Sequence, residues 1–282
     1  MGYVAGKKVF ITGGSAGIGR ELALAMARDG ASVVVCARGP EALEKVVAEL
    51  KAAGPSGAVY GWASADVADA AQMVAAAEKA ITLLGGLDLL ICNSGYAQAA
   101  AIGTMPEAAM RRLMDVNYFG HVNTVRAFHA HFEKQGKGDI VLVSSMLGVL
   151  SVWGYGAYAA SKFAITGFAQ ALRQEMKLHG VRVKLFLPPT TDTPGLAREN
   201  EDKPPICYEM EMGSALNMKH KPEKVVGAFL SWLPKGSFYG YATWDSWLQF
   251  FMAHHFPELT LLLADGELKG AQDRLAKKAA GK

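Results

Sequence analysis

The sequence predicts a single α/β domain, a parallel β-sheet covered by helices on both faces, and three observations carry that prediction. From Lys7 to about Leu187, short Val/Ile/Leu-rich runs alternate with longer amphipathic segments. The runs are continuously apolar rather than alternating, as expected of strands buried on both faces. The segments between them are long enough for the crossover helices that parallel strands require.

In chain order, the expected strands are Val9 to Ile11, Ser32 to Ala37, Ala58 to Trp62, Leu87 to Cys92, Ile140 to Val143 and Val181 to Leu187. A good helix former, Glu21 to Ala27, follows the first. The pattern changes at Pro188. Loop signals run from Pro188-Pro189 to Pro194-Gly195, followed by a charged segment, Arg198 to Lys203, then Pro204-Pro205 and a Met-rich stretch, Met210 to Met218. So long an irregular insertion reads as a lid or binding loop. A helix is expected from near Pro222, a strand over Ser237 to Ala242, and then an apolar tail with Trp244, Trp247, Phe250, Phe251, Phe256 and Leu261 to Leu263. The expected division is 1–187 as the core carrying the catalytic residues, and 188–282 as substrate loop, lid and apolar extension of the same domain.

Composition narrows the function classes. With 51% hydrophobic and 20% charged residues, the chain is neither disordered nor a disulfide scaffold. Its 282 residues permit two domains at about 150 residues each, but one larger α/β domain fits equally well. A net charge of +3 is too small a bias to indicate a nucleic-acid partner. Cys36, Cys92 and Cys207 are odd in number, and the first two fall inside strand-like runs, so reduced, buried thiols in a reducing compartment are expected. No stretch reaches the ~18 consecutive apolar residues of a membrane span. The N-terminus runs directly into a strand-like segment rather than a signal peptide. The expected location is cytoplasmic.

The first strand ends in Thr12-Gly13-Gly14-Ser15-Ala16-Gly17-Ile18-Gly19. Glycines at 13, 17 and 19 let the backbone turn sharply and approach a pyrophosphate, whose charge the free N–H groups of a helix start would offset. Gly13, Ser15, Ala16, Gly17, Ile18 and Gly19 are therefore cofactor-binding candidates on a Rossmann-type doubly wound sheet. A ligand-free glycine turn is the plainer alternative. About 20 residues on, where a site for NAD has an acid for the ribose 2′-hydroxyl, the second strand ends in Arg38. A guanidinium can pair with a 2′-phosphate and stack on adenine. NADPH is the expected cofactor, unless Arg38 is simply a solvated surface residue.

Ser144 and Ser145 close the fifth strand, and Tyr158 follows Ser145 by 13 residues in Tyr158-Ala159-Ala160-Ser161-Lys162. Spacing i, i+4 sets Tyr158 and Lys162 on one helix face. With the glycine turn, Asn93-Ser94-Gly95 and Asn117, these residues resemble the short-chain dehydrogenase/reductase family over roughly residues 7 to 195. One departure is Ser94, where the family motif has Ala. The resemblance implies hydride transfer between a nicotinamide and a carbonyl. Tyr158 would be the acid, Ser145 the donor that orients the carbonyl oxygen, Lys162 the group that holds the nicotinamide ribose, and Asn117 the holder of a relay water. A free phenol titrates near about 10. A nearby ammonium is expected to make it more acidic, and lowering its pKa by about 3 would need roughly 4 kcal/mol of differential stabilisation. The resemblance also puts Asp66, Asn93, Gly95, Pro188, Thr191 and Thr193 along the cofactor. Asp66 would contact adenine, with N-capping of the next helix as the alternative. Asn93 would steady the central strand.

The run Pro188-Pro189-Thr190-Thr191-Asp192-Thr193-Pro194-Gly195 closely resembles that of the 3-ketodihydrosphingosine reductases, with Thr190 where that group often has Asp. The likeness implies NADPH-dependent reduction of the 3-keto group of a long-chain sphingoid base in sphingolipid synthesis. Another bulky hydrophobic ketone (a steroid or oxoacyl group) and a non-catalytic redox sensor are the alternatives. A lipid ketone suits the composition, since Met210, Met212 and Met218 could form a flexible apolar lid. The tail could meet a membrane interface, form a homo-oligomer contact or complete the core. His254 and His255 are adjacent and lack the helical spacing of a metal pair, so no metal is expected.

Overall fold

The computed structural model describes residues 2–214 and 218–280. Part of the Met-rich stretch, 215–217, and the ends of the two expected segments, residues 1 and 281–282, lie outside the described residues.

Seven strands form one parallel sheet: β1 (Lys8–Thr12), β2 (Ser32–Ala37), β3 (Tyr60–Ser64), β4 (Leu89–Cys92), β5 (Gly138–Val143), β6 (Val181–Leu187) and β7 (Tyr239–Tyr241). Their order is β3-β2-β1-β4-β5-β6-β7, so the direction of winding reverses between β1 and β4. A crevice opens at the strand ends wherever such a sheet reverses, and ligands bind there. The third strand begins two residues later than its apolar run suggested, because Tyr60–Ser64 pairs with Val33–Ala37 and Ala58 closes a turn onto Pro55.

Helices α1 (Gly17–Arg28), α2 (Pro40–Ala53) and α9 (Pro222–Trp232) cover one face, and α3 (Ala70–Leu84), α5 (Gly120–Gln135) and α6 (Gly156–Lys177) the other. The short α4 (Glu107–Leu113) leads into α5 through a π-helical segment, Met114–Phe119. Two buried clusters follow this division. Val9, Ile11, Val33 and Val35 face Leu22, Leu43 and Phe229, while Phe10, Val34, Leu90 and Leu142 face Met73, Phe128 and Ile165. Single strands thus feed both cores through alternate residues, which is why their runs are apolar throughout. All three cysteines are free and buried.

The insertion after β6 is more ordered than its loop signals suggested. Pro194 and Pro205 each start a helix, α7 (Pro194–Glu201) and α8 (Pro205–Gly213), because proline lacks only an N–H that a first turn leaves unused. The tail forms α10 (Trp244–His255) and α11 (Pro257–Ala279). α11 lies along α8, where Arg274 donates to the Glu209 carbonyl at 2.6 Å and Lys278 pairs with the Glu209 carboxylate. Only Phe250 of the expected tail aromatics packs on the main core, against Tyr239 and Tyr241. Trp244, Trp247, Phe251 and Phe256 remain exposed.

Candidate active site

A cleft of about 1270 Å³ opens at the strand ends. It is lined by Gly13, Ser15, Ala16, Gly17 and Ile18 of the turn, by Arg38, Asp66, Asn93, Gly95, Ser145, Tyr158 and Lys162, and by Pro188, Thr191 and Thr193. Of the candidate catalytic and cofactor-binding residues, Gly19 and Asn117 alone do not line it. Both lie directly behind its wall.

The glycine turn has the shape that a dinucleotide needs. Gly13 and Gly17 take φ of 68° and 56°, the left-handed region that favours glycine. A Cβ on Gly19 would stand 2.2 Å from the Gly13 carbonyl oxygen and 2.6 Å from Asn93 Nδ2. Ala16 is the N-cap of α1 and supplies no side-chain hydrogen bond, and the first turn holds no acid. The first N–H groups of α1 therefore face the cleft without a side-chain acceptor, which suits an anion. Asn93 ties the turn to β4 by donating from Nδ2 to the Thr12 carbonyl at 3.1 Å, while its backbone N–H donates to Thr12 Oγ1 at 3.0 Å.

Arg38 is exposed at the far end of the cleft, past the end of β2. Asp66 stands opposite, and its Oδ2 accepts from Arg112 Nη2 at 2.6 Å. Burial alone would raise the Asp66 carboxyl. The Arg112 and Ala68 hydrogen bonds and the charges of Arg112 and Arg38 outweigh it and hold the group below the usual carboxylate range. The N-capping alternative for Asp66 is corrected here: Asp69 caps α3, accepting from the N–H groups of Ala71 and Gln72. Arg112 was not singled out from the sequence, because its place beside Asp66 depends on how α4 crosses the cleft.

At the inner end, Ser145 follows β5 and accepts from Leu147 N at 3.1 Å, which leaves its hydroxyl hydrogen for the cleft. Its neighbour Ser144 turns inward and donates to the Lys162 carbonyl at 2.9 Å, holding α6 against β5. Asn117 sits in the π-helical segment and is fully buried. Its Nδ2 donates to the Tyr96 carbonyl at 3.0 Å and Ser161 Oγ at 2.9 Å, and its Oδ1 accepts from Tyr96 N at 3.0 Å. Both amide hydrogens are thus spent within the protein, and Oδ1 keeps one lone pair beyond the Tyr96 bond.

One expectation is corrected in the protein alone. The Lys162 ammonium lies 5.8 Å from the centre of the Tyr158 ring and donates to the Val143 carbonyl at 3.3 Å. Tyr158 is not acidic. Burial pushes it up to about 12, Ser145's hydrogen bond lowers it and the Glu199 charge raises it. Burial also brings the Lys162 ammonium down to about 8.

The outer wall is apolar and comes mostly from the segment after β6. Leu196, Met210, Met252 and Leu263 line it with Trp153. Of the three lid methionines expected, Met210 lines the cleft, while Met212 and Met218 are exposed and do not. Tyr155, Glu199, Lys203 and Glu211 form a polar knot beside Tyr158, drawn in part from the charged segment Arg198 to Lys203. Its trace in the sequence was that segment and the i, i+4 spacing of Glu199 and Lys203 within it.

Comparison with known proteins agrees with this geometry. The profile of the family described as short chain dehydrogenase matches residues 7–204. A 3-ketodihydrosphingosine reductase of Bos taurus is 35% identical over 235 residues, 83% of this chain and 70% of that protein. A 3-dehydrosphinganine reductase of Danio rerio is 34% identical with the same coverage, 83% and 70%. A short chain dehydrogenase/reductase from Burkholderia phymatum, solved in complex with NAD, is 25% identical and superposes with a TM-score of 0.80 over 92% of this chain and 96% of that one.

Proposed function

The chain belongs to the short chain dehydrogenase family, an oxidoreductase family that uses a nicotinamide cofactor, and from that premise we propose that it reduces the 3-keto group of a long-chain sphingoid base with NADPH. One observation carries the reading: Ser145, Tyr158 and Lys162 open into the same cleft as the apolar wall of Leu196, Met210 and Leu263. A carbonyl held at the first set leaves its alkyl chain against the second. The names of the Bos taurus and Danio rerio relatives supply the substrate class.

A reduced nicotinamide bound in the cleft would supply the hydride. Tyr158 supplies the proton that the carbonyl oxygen needs as negative charge develops there. A phenol held near about 12 is fully protonated at neutral pH, the correct form for an acid, and an alkoxide is a stronger base than phenolate, so the transfer runs downhill. Ser145 donates a hydrogen bond to the same oxygen and stabilises its charge before the proton arrives. Lys162 has two ammonium hydrogens beyond the one on Val143; these would hold the nicotinamide ribose and stabilise the phenolate left by proton transfer. Arg38 and Arg112 at the far end favour a 2′-phosphate over a bare 2′-hydroxyl. The division at residue 187 belongs to the same proposal, with 1–187 carrying the cofactor and the chemistry and 188–282 shaping the lipid pocket.

The proposal extends to place. Among the described residues no helix is long and apolar enough to cross a membrane. The exposed apolar stripe of α10 and α11 would rest on a cytoplasmic membrane surface and take its lipid substrate from there.

The test is a product assay with a C18 2-amino-1-hydroxy-3-ketone and each reduced nicotinamide in turn. The expected result is formation of the 3-alcohol with NADPH, much faster than with NADH. Y158F should lose turnover by on the order of 1000-fold, the loss typical of a missing proton donor, while still binding NADPH. Equal rates with the two nicotinamides would overturn the role given to Arg38, and a Y158F variant of undiminished rate would overturn the mechanism.

A further inference from the structure

We infer that Glu199, backed by Lys203 and Glu211, binds the ammonium group that stands beside the ketone in a sphingoid base and so selects 2-amino ketones over plain ketones. The inference rests on the substrate class proposed above.

A sphingoid ketone is an awkward guest. Its long chain needs an apolar wall, yet the carbon next to the carbonyl carries a cation, and a cation taken out of water must find an anion. Five carboxylates border the cleft: Asp66, Glu199, Asp202, Glu211 and Glu267. Asp66 is committed to Arg112 at the Arg38 end, and Asp202 is exposed on the outer rim. Glu267 is carried by α11 and is not among the charges that act on the phenol. Glu199 is the one whose charge reaches Tyr158. Its side chain is 12% exposed, enough to meet a ligand in the cleft and too little to be well solvated.

The surroundings hold this carboxylate in place and leave negative charge over. Lys203, its side chain 1% exposed, lies 3.0 Å from Glu199 Oε1 and 2.8 Å from Glu211 Oε1. Burial opposes that ammonium, but the Glu211 hydrogen bond and the charges of Glu199 and Glu211 outweigh it and raise its pKa. Tyr155 Oη lies 2.5 Å from Glu199 Oε1 and 2.7 Å from Glu211 Oε1. The phenol has one hydrogen for these two contacts, so the knot is one donor short. Formally it holds two carboxylates against one ammonium. A ligand ammonium supplies both the missing donor and the missing charge. The rings of Tyr155 and Tyr158 are 6.1 Å apart and Tyr155 Oη contacts Glu199, so the knot stands beside the phenol, and we seat the amine at Glu199 with the ketone of the adjacent carbon at Tyr158. The ligand cation would also cancel the Glu199 charge, which adds to the larger effect of burial in raising the Tyr158 phenol.

The test compares kcat/KM for the C18 2-amino-1-hydroxy-3-ketone with that for the C18 1-hydroxy-3-ketone, which lacks the amine, in the wild-type protein, E199Q and E199D. A charge-assisted hydrogen bond of this kind corresponds to roughly 10- to 100-fold in discrimination. The wild-type protein is expected to prefer the amino ketone by a factor in that range, E199Q to lose the preference and E199D to keep most of it. Thermal melting of each variant and turnover of the amine-free ketone report on folding, and E211Q, which leaves Glu199 intact, is expected to show a smaller loss. Turnover of the amino ketone with the same discrimination in E199Q as in the wild type overturns the ammonium site and leaves the reductase reading standing. Absence of wild-type turnover on the amino ketone overturns both.

Discussion

Lys162 is 4% exposed and has a carbonyl, not a carboxylate, as its partner. Burial lowers its pKa to about 8, so the folded chain binds this proton less tightly than the unfolded chain does. Folding below that pH therefore carries a penalty. The penalty fades as pH rises from about 8 toward the ordinary lysine value of about 10.4. Lys162→Met keeps the length of the side chain and removes the charge, and it should stabilise the protein at pH 7 by on the order of 1–3 kcal/mol while abolishing turnover. Urea denaturation of both proteins across pH 7 to 10 checks this: the gap between them should close on the alkaline side, and a gap independent of pH would show that packing, not charge, separates them. Ser145, Tyr158 and Lys162 were legible in the sequence because their chemistry imposes fixed spacings on one strand end and one helix face. Tyr155, Glu211 and Arg112 were not, because their partners come from distant elements and a sequence records no contact between them.

At the scale of elements, the central strands were legible for a physical reason: burial on both faces removes polar residues, so each strand stands out as an unbroken run. The stretch from Pro188 to Met218 was legible only as irregular, whereas the helix from Pro222 and the strand within Ser237 to Ala242 were legible. Prolines that read as loop signals turn out to start α7 and α8, and the side chains that pair with Glu209 of α8 lie 65 and 69 residues later. Glu209 holds that pairing. Its carboxylate faces Lys278 and Arg274 from α11, and the Lys278 hydrogen bond, the largest influence on it, holds the carboxyl below the usual range. Glu209→Ala should release α11 from α8 without disturbing the sheet. Hydrogen exchange is the measurement. Amides of α11 should exchange several-fold faster while those of β1, β4 and β5 stay protected, since local opening and global unfolding are separate events. Equal acceleration throughout would mean that α8 and α11 are part of the global folding unit instead.

At the scale of the whole molecule, the exposed apolar residues are unevenly distributed. Trp244, Trp247 and Phe251 recur at helical spacing on α10, with Leu259 and Leu262 on α11, and Leu262 is 67% and Trp244 63% exposed. Inner residues of the same two helices, Met252 and Ala264, line the cleft. A stripe of this kind at the mouth of a lipid pocket suits the acyl boundary of a bilayer, where tryptophan is favoured and an amphipathic helix can lie flat without spanning. The expected outcome is binding to phosphatidylcholine vesicles with a blue shift of the Trp244 and Trp247 fluorescence. The double variant W244S/L262S should weaken binding on the order of tenfold or more, given about 1.5–3 kcal/mol for each large side chain removed from an apolar environment. The same variant should raise KM for a ketone presented in vesicles more than for one presented in detergent, because only the first route uses the stripe. Gel filtration with and without vesicles separates the rival use of this surface: a wild-type dimer that W244S/L262S converts to monomer, with vesicle binding absent in both, would assign the stripe to a second copy of the chain.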